Sequence, residues 1–228
     1  MTLNERFAAA FITGERWKLY LSGLGITLEI ALFAGILGIV IGTITALMKL
    51  STTEDGKPTI LNYIATVYVD IIRGTPSVLQ LLIMWFIVMA SSNNGILVAS
   101  LSFGINSGAY VSEIVRGGIL AVDKGQMEAG RSLGLSKAAT MRYIILPQAI
   151  KNVIPPLGNE FITLIKETAI VGYVGLMDIQ KAGDFIKSST FLAFMPLIGT
   201  AVIYYVLIKL LTMALKRVEN TLRKSDVR

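Results

Sequence analysis

Long apolar runs separated by shorter polar segments make up most of this sequence. A helix needs about 20 apolar residues to cross the hydrocarbon layer of a membrane, and every run is long enough. The pattern therefore predicts an all-α membrane protein with five spanning helices, at 19–47, 59–89, 95–118, 148–175 and 191–215. The chain divides into an N-terminal segment at 1–18, a membrane domain at 19–216 with a central polar loop at 120–147, and a tail at 217–228.

The second apolar run is interrupted at its centre. Asp70 and Arg73 are three residues apart, so they share a helix face and are predicted to form a structural ion pair. Gly74 ends that helix, Thr75 can cap the next one, and Pro76 suits its first turn. We therefore expect two helices here, the first near the membrane surface and the second spanning.

The third run contains another pair of opposite charges. Glu113 and Arg116 are also three residues apart, close to the end that leads into the central loop. Charges inside a span are costly and face the protein interior or water. The pattern predicts a structural ion pair.

The fourth run is the most polar and contains the main candidate for substrate contact. Glu160 lies within one helical turn of Asn159 and Thr163, and an unpaired carboxylate at mid-span costs several kcal/mol. These three residues, with Gln80 of the second run, are the predicted substrate-binding set. The alternative for Glu160 is a buried salt bridge to Lys166 or to a neighbouring subunit.

The central loop contains a polar stretch, EAGRSLGLSKAATMRYIILP, at 128–147. Gly134 can adopt the left-handed conformation that ends a helix, and Ser136 can cap the helix that follows. Pro147 stops that second helix or begins a new one. The stretch predicts two short helices joined by a turn, an arrangement suited to binding another protein. An ordinary basic loop is the alternative.

Composition limits the possible functions. The 228 residues are 54% hydrophobic and 16% charged, with a mean hydropathy of +0.66, which is too apolar for an ordinary soluble domain. With neither histidine nor cysteine, imidazole catalysis and thiolate or histidine metal sites are excluded. The chain lacks a G-x-x-x-x-G-K-[ST] phosphate loop, so it is not expected to bind ATP by that route. No metal site and no catalytic residue are predicted.

Basic residues predict the orientation. The net charge of +6 is typical of cytoplasmic loops in a membrane protein rather than of a nucleic-acid-binding one. With the central loop inside, the outer side holds Arg6, Arg16, Lys18, Lys181 and Lys187, whereas the inner side holds Lys49, Lys57, Lys124, Arg131, Lys137, Arg142, Lys151, Lys216, Arg217, Arg223, Lys224 and Arg228. The excess predicts an N-terminus outside and a C-terminus inside.

Several motifs together resemble the membrane subunits of bacterial ATP-binding-cassette importers, in the branch for polar amino acids such as histidine, glutamine and arginine. The central stretch resembles their EAA loop, with Gly130 at a position where the consensus is alanine. The other motifs are RGTP at 73–76, SGAYVSEIVRGGI at 107–119 and GNEFITLIKET at 158–168. In that family the loop docks on a separate ATPase subunit. The resemblance implies that the residues of this chain with that docking role are Glu128, Ala129, Gly130, Arg131, Gly134, Leu146 and Pro147.

The resemblance implies a type I importer fold with a five-helix core, in the plasma membrane of a bacterium. It implies a second permease subunit, identical or a paralogue, two ATPase subunits that hold ATP and Mg, and an extracytoplasmic substrate-binding protein. This chain is then a transport subunit, not an enzyme, in contact with membrane lipid and with a polar amino acid. No cofactor on this chain and no nucleic acid are expected.

Two other functions fit a membrane protein of this size. A self-sufficient channel or gradient-driven secondary transporter would use the central loop only as a linker, and an export or receptor-like subunit would bind another regulator there. The absence of an internal repeat and the spacing in the central loop favour the importer. Glu160 suits a cationic amino acid, although glutamine, cystine and glutamate importers share the scaffold.

Overall fold

The computed structural model describes residues 2–53 and 55–224, with side chains through residue 222. Glu54, between the first and second predicted spans, and residues 225–228 of the predicted tail, including Arg228, lie outside the described residues, as do the side chains of Arg223 and Lys224. The described part is almost entirely helical, as predicted.

Ten α-helices follow one another along the described chain. They are α1 (Leu3–Phe7), α2 (Trp17–Leu50), α3 (Ile60–Arg73), α4 (Ser77–Ile83), α5 (Gly95–Leu120), α6 (Lys124–Ser132), α7 (Lys137–Thr140), α8 (Leu146–Glu167), α9 (Ile179–Thr190) and α10 (Phe194–Lys224). Shorter π-helical stretches at Ala8–Ile12, Met84–Val88 and Met141–Ile145, and 3-10 stretches at Thr13–Glu15 and Thr168–Val174, extend or join them.

Not every predicted span meets a test of length and apolarity. Among the described residues, α2, α5 and Phe194–Leu222 of α10 are long and apolar enough to cross a membrane, and the bent pair α3–α4 is a fourth candidate. The remaining predicted span corresponds to α8, which has 22 residues but contains Asn152, Asn159, Glu160 and Lys166. These polar side chains, not its length, set α8 apart.

Helix bounds differ from the predicted ones at both ends of the last span. Phe191 has a left-handed backbone, with φ of 56°, so the helix begins at Phe194 rather than at 191. It then continues to Lys224, so the predicted tail at 217–228 begins as helix.

The second apolar run breaks where predicted, although the capping residue differs. α3 ends at Arg73, and the Gly74 N–H donates to the Asp70 carbonyl at 2.9 Å. Pro76, not Thr75, occupies the N-cap position of α4 and supplies no side-chain cap. The Thr75 hydroxyl instead accepts a hydrogen bond from Gln80 Nε2 at 2.8 Å, because Pro76 places Thr75 one residue too early to cap.

The described residues group into two compact units. The first comprises 2–36, 75–104 and 162–213. One of its apolar clusters surrounds Phe103, Ile30 and Leu164, and another surrounds Tyr20 and Ile179.

Asp178 begins α9 within this first unit. Its buried carboxylate accepts hydrogen bonds from the backbone N–H groups of Gln180 and Lys181, at 3.1 and 2.9 Å, and from the Tyr204 hydroxyl at 3.3 Å. Burial raises the pKa of Asp178, while these donors act in the opposite direction. The residue therefore caps α9 at the cost of desolvating its own carboxyl group.

The second unit comprises 37–53, 55–74, 105–161 and 214–224. Its parts of α2 and α5 approach closely, since a Cβ added at Gly42 would lie 2.5 Å from Val111 Cγ1, and one at Gly38 would lie 3.0 Å from Ser107. A small apolar cluster of Val122, Ile145 and Ala149 anchors the predicted coupling segment to this unit.

Candidate translocation cleft and coupling segment

A cleft of about 470 Å³ opens within the second unit. This volume falls in the range of roughly 300–1,000 Å³ typical of small-molecule sites. The end of α3, the second half of α5 and the middle of α8 form its walls. The lining residues are Arg73, Tyr110, Glu113, Ile114, Gly117, Gly118, Ala121, Asn152, Pro156 and Glu160. Most of this surface is apolar, so its few charged groups dominate the chemistry.

Glu160 is the acidic group on the α8 wall. It is half-buried, and Ser107 on α5 donates a hydrogen bond to its Oε1 at 2.9 Å. No cation among the described residues forms an ion pair with it, so the predicted alternative of a salt bridge to Lys166 is not found. Its carboxylate can therefore accept a ligand cation.

The other predicted substrate residues do not line this cleft. Asn159 is exposed, and its Nδ2 donates to the Pro155 carbonyl one turn earlier, at 3.2 Å. Thr163 and Gln80 belong to the first unit. There Thr163 is exposed and Gln80 contacts Thr75. Of the predicted set, only Glu160 is part of the cleft.

The predicted pair of Glu113 and Arg116 is present and includes a third member. Arg116 donates to Glu113 Oε2 from Nη2 at 2.7 Å and from Nε at 3.1 Å. Lys49, near the end of α2, contacts Glu113 Oε1 at 2.6 Å. Both carboxylate oxygens are therefore already neutralised by protein cations.

The predicted pair of Asp70 and Arg73 is wrong. Among the described residues, neither forms an ion pair, and both are exposed. The Arg73 guanidinium instead lies over the ring of Tyr110, 5.2 Å from its centroid. An exposed ion pair contributes only about 0–1 kcal/mol, whereas the aromatic face adds a cation–π contact and apolar surface for the arginine side chain.

Sequence reasoning missed three residues that organise the cleft: Lys49, Ser107 and Tyr110. Ser107 and Tyr110 precede Glu113 at helical spacing, in the motif that carries the family resemblance. That periodicity could have identified them as one face of α5. Lys49 gave no such signal, because its partner is distant in sequence.

The predicted coupling segment is folded as two short helices around a turn. Gly134 has φ of +84°, and α6 ends with hydrogen bonds from the Gly134 N–H to the Arg131 carbonyl and from the Leu135 N–H to the Gly130 carbonyl, at 3.0 and 3.1 Å. This pattern is a Schellman motif. Ser136 caps α7 by accepting from the Ala139 N–H at 3.1 Å, as predicted.

Gly130 is the tightly packed position of the segment. It is buried, and a Cβ added there would lie 2.5 Å from Cγ2 and 2.8 Å from Oγ1 of Thr140. Thr140 is itself fully buried. The departure from the consensus alanine therefore has a steric reason, and Thr140 is a further residue that sequence reasoning missed.

Exposure distinguishes the remaining predicted coupling positions. Glu128, Ala129, Arg131 and Gly134 are exposed, and Leu133, which sequence reasoning did not select, is 81% exposed. Leu133 therefore presents apolar surface beside the exposed charges of Glu128 and Arg131.

The second short helix does not stop before Pro147. α7 continues through the π-helical stretch Met141–Ile145 directly into α8, in which Leu146 and Pro147 occupy the first turn and are exposed. The π-helical hydrogen bonding precedes the proline, which lacks an N–H donor, so the helical run accommodates it.

Metal binding finds no support in the described side chains. Within residues 2–53 and 55–222, no group of three or more acidic side chains is placed to hold a metal ion.

Comparison with known proteins gives a consistent result across most of the chain. Residues 38–224 match the family described as "Binding-protein-dependent transport system inner membrane component". A putative glutamine transport system permease protein of Rickettsia bellii is 42% identical over 203 residues, covering 88% of this chain and 91% of that protein. The arginine transport system permease protein of Bacillus subtilis is 42% identical over 209 residues, covering 90% and 93%.

Solved structures give the same result. The chain is similar to a crystal structure of an amino acid ABC transporter with histidines, with a TM-score of 0.83 and 40% identity, covering 92% of this chain and 96% of that one. An inward-facing MetNI methionine ABC transporter has the same fold, with a TM-score of 0.78 at 22% identity, covering 90% and 97%. The chain thus has the type I importer permease fold, and it belongs to the family of inner-membrane components of binding-protein-dependent transport systems, in which it is a permease subunit of an ATP-binding-cassette importer.

Proposed function

We propose that this permease carries polar amino acids and that the substrate passes along the Glu160 cleft. The observation that carries the proposal is a carboxylate that forms no ion pair with any cation of the described residues, set in a mostly apolar cleft of suitable volume. Such a group favours a ligand that brings its own positive charge, and every α-amino acid carries an ammonium group. The relatives named for glutamine and for arginine transport are equally similar, at 42% identity, which supports amino acids as the class.

The coupling segment supports an ATPase partner. Its turn presents an apolar residue, Leu133, beside the charged residues Glu128 and Arg131, all of them exposed. An apolar anchor with a polar rim is typical of a protein interface. ATP and Mg are then bound on the partner chain, where the ATP is hydrolysed, and this chain performs no catalysis.

The family supports the rest of the assembly. It consists of a second permease subunit, either an identical copy or a paralogue, two ATPase subunits, and an extracytoplasmic protein that delivers the amino acid. The excess of basic residues on one side supports an N-terminus outside and a C-terminus inside the plasma membrane of a bacterium. Closure of the ATPase pair moves the coupling segment, and the permease alternates between inward-open and outward-open states.

Gly117 offers a direct test of the cleft. It lines the cleft and is exposed, and a Cβ added there would meet no atom within 4 Å. The large side chain of Gly117→Trp should therefore enter the cleft, since no packed atom opposes its Cβ. Gly25 on α2 is a matched control, since it is also exposed and its added Cβ also meets no atom.

The measurement is uptake of L-arginine and L-glutamine by vesicles that contain the full complex. We expect Gly117→Trp to abolish uptake of whichever amino acid the wild type carries, Gly117→Ala to retain most of it, and Gly25→Trp to behave as wild type. Undiminished uptake by Gly117→Trp would exclude this cleft as the pathway. Uptake of neither amino acid by the wild-type complex would contradict the proposed substrate class.

The ATPase contact has its own test. Leu133→Asp changes an exposed side chain and leaves the Gly134 turn intact, unlike Gly134→Asp, which strains it. We expect the ATPase to co-purify with the wild type and to be lost with either variant. Phe185→Asp on α9, half exposed and on the predicted outer side, is the control and should retain the ATPase. Retention by Leu133→Asp, or transport by the permease alone under an ion gradient, would refute the docking proposal.

A further inference from the structure

Three side chains at regular intervals along α5 contact or supply the charged groups of the cleft. Ser107, Tyr110 and Glu113 follow one another every three residues, so each is a neighbour of the one before it on the helix surface, offset by about 60° around the axis at each step. Ser107 holds Glu160, Tyr110 holds Arg73, and Glu113 holds Lys49 and Arg116. The cleft therefore presents an anion, then a cation, then an ion-paired cluster.

The cluster at Glu113 is already satisfied. Its carboxylate contacts one cation on each oxygen, at 2.6 and 2.7 Å. A ligand that bound Glu113 would have to displace a protein cation. The charges open to a ligand are consequently those of Glu160 and Arg73.

Arg73 is arranged to bind a carboxylate. A guanidinium stacked on an aromatic ring keeps its N–H donors at the edge of the plane, where they can reach a carboxylate in a two-point contact. No described residue supplies an anion in ion-pair contact with Arg73, although Asp70 lies three residues away on the same helix. The side chain lines the cleft, so its charge faces the space that a substrate would enter.

Two opposite charges that line one cleft suit a small zwitterion. Ser107 and Tyr110, which contact Glu160 and Arg73, are neighbours on the surface of α5. An α-amino acid carries its ammonium and carboxylate groups on the same carbon, so two opposite charges in one small cleft can bind both groups.

We propose that Arg73 binds the α-carboxylate of the transported amino acid while Glu160 binds its α-ammonium group. This inference rests on the proposed function of the cleft and adds Arg73, with Tyr110 as its positioning residue, to the substrate contacts. The permease then recognises what all α-amino acids share. Selection among side chains falls to other parts of the system.

The test uses the purified permease–ATPase complex without the substrate-binding protein, so that only the permease selects. The probes are L-arginine, L-glutamine and agmatine, which is arginine without its α-carboxylate. The variants are Arg73→Gln, Arg73→Lys and Glu160→Gln, and Asp70→Asn is the matched control because it alters an exposed charge on the same helix that does not line the cleft. Equilibrium binding of each probe is measured for the wild type and for each variant.

We expect the wild type to bind L-arginine and L-glutamine with similar affinity and agmatine roughly ten-fold or more weakly, the effect of losing one charge-assisted contact. Arg73→Gln should weaken the binding of both amino acids to that extent without changing the binding of agmatine. Arg73→Lys should restore part of the affinity for the amino acids. Glu160→Gln should weaken the binding of all three probes. Asp70→Asn should leave all three unchanged.

Other outcomes overturn the inference. Equal binding of L-arginine and agmatine with no binding of L-glutamine would assign Glu160 to a cationic side chain instead. An equal loss of agmatine and L-arginine in Arg73→Gln would reduce Arg73 to a structural role. Gly117→Trp separates the two proposals: if it abolishes uptake while Arg73→Gln binds normally, the cleft remains the pathway and only the role of Arg73 fails.

Discussion

Replacing Gly130 with alanine tests how tightly the coupling turn is packed. The added methyl group would lie 2.5 Å from Thr140 Cγ2, far inside the optimum of about 3.5–4.0 Å for two carbon atoms. Thr140 is fully buried and cannot move aside without disturbing its neighbours. Overpacking costs about 1–3 kcal/mol, whereas replacing a helical glycine with alanine gains up to about 1 kcal/mol. We therefore expect a net loss of about 0–3 kcal/mol.

Thr140→Ala provides the second side of the thermodynamic cycle. Alone it removes a buried methyl group and a hydroxyl that donates to the Ser136 carbonyl at 3.0 Å. The hydrogen bond contributes about 0.5–1.5 kcal/mol and the methyl group about 0.8 kcal/mol. In the double variant, the new methyl group at 130 fills the space left at 140. The two changes should then be non-additive, with the double variant about 1–3 kcal/mol more stable than the sum predicts.

The assay is the thermal midpoint of the detergent-purified permease, measured at one scan rate for the wild type, both single variants and the double variant. A fixed scan rate matters because membrane proteins of this kind commonly unfold irreversibly. ATPase retention, measured in parallel, reports whether the turn still docks. Additive midpoints would refute the reasoning, since they would mean that positions 130 and 140 do not compete for the same space.

Two further predictions concern buried charge. Because burial raises the pKa of Asp178, the folded chain holds that proton to a higher pH than the unfolded chain does. The resulting gain in the free energy of unfolding is present at low pH and is lost as the pH rises through the raised pKa of Asp178. It amounts to about 1.4 kcal/mol for each unit by which folding raises that pKa. Asp178→Asn keeps the helix cap. It should make the thermal midpoint less dependent on pH, and an unchanged pH dependence would refute this assignment. Glu113→Gln should cost about 1.5–3 kcal/mol, because it leaves Lys49 and Arg116 without their anion. Adding Lys49→Met should recover part of the midpoint, and a neutral single variant would show that the cluster contributes nothing.

The break in the second run and the turn at Gly134 were predictable because their determinants are local. Gly74 is a poor helix former, and Pro76 biases the residue before it away from helical backbone. Gly134 followed by Ser136 combines a helix-ending residue with a helix-capping one. Each signal lies within a few residues of the structure it specifies.

Contacts between distant segments were not predictable in this way. The spacing of Asp70 and Arg73 indicated an ion pair, but Tyr110 on another helix provided the better contact for the arginine. Gly130 looked like a small departure from a consensus until Thr140 was found against it. In both cases the deciding atoms come from a segment that pattern reasoning treats separately.

An uninterrupted helical run from Lys137 to Glu160 connects the coupling turn to the cleft wall. Its length is about 35 Å at 1.5 Å per residue, and no loop divides it. A displacement applied beside Gly134 therefore reaches Glu160 through continuous helix, in which Pro155 and Pro156 are the points most able to bend. The π-helical stretch Met141–Ile145 holds one extra residue in its turn, and its return to α-helical geometry would rotate the wall by about 100°. A shift of one residue near the coupling turn would thus turn the Glu160 carboxylate away from the cleft.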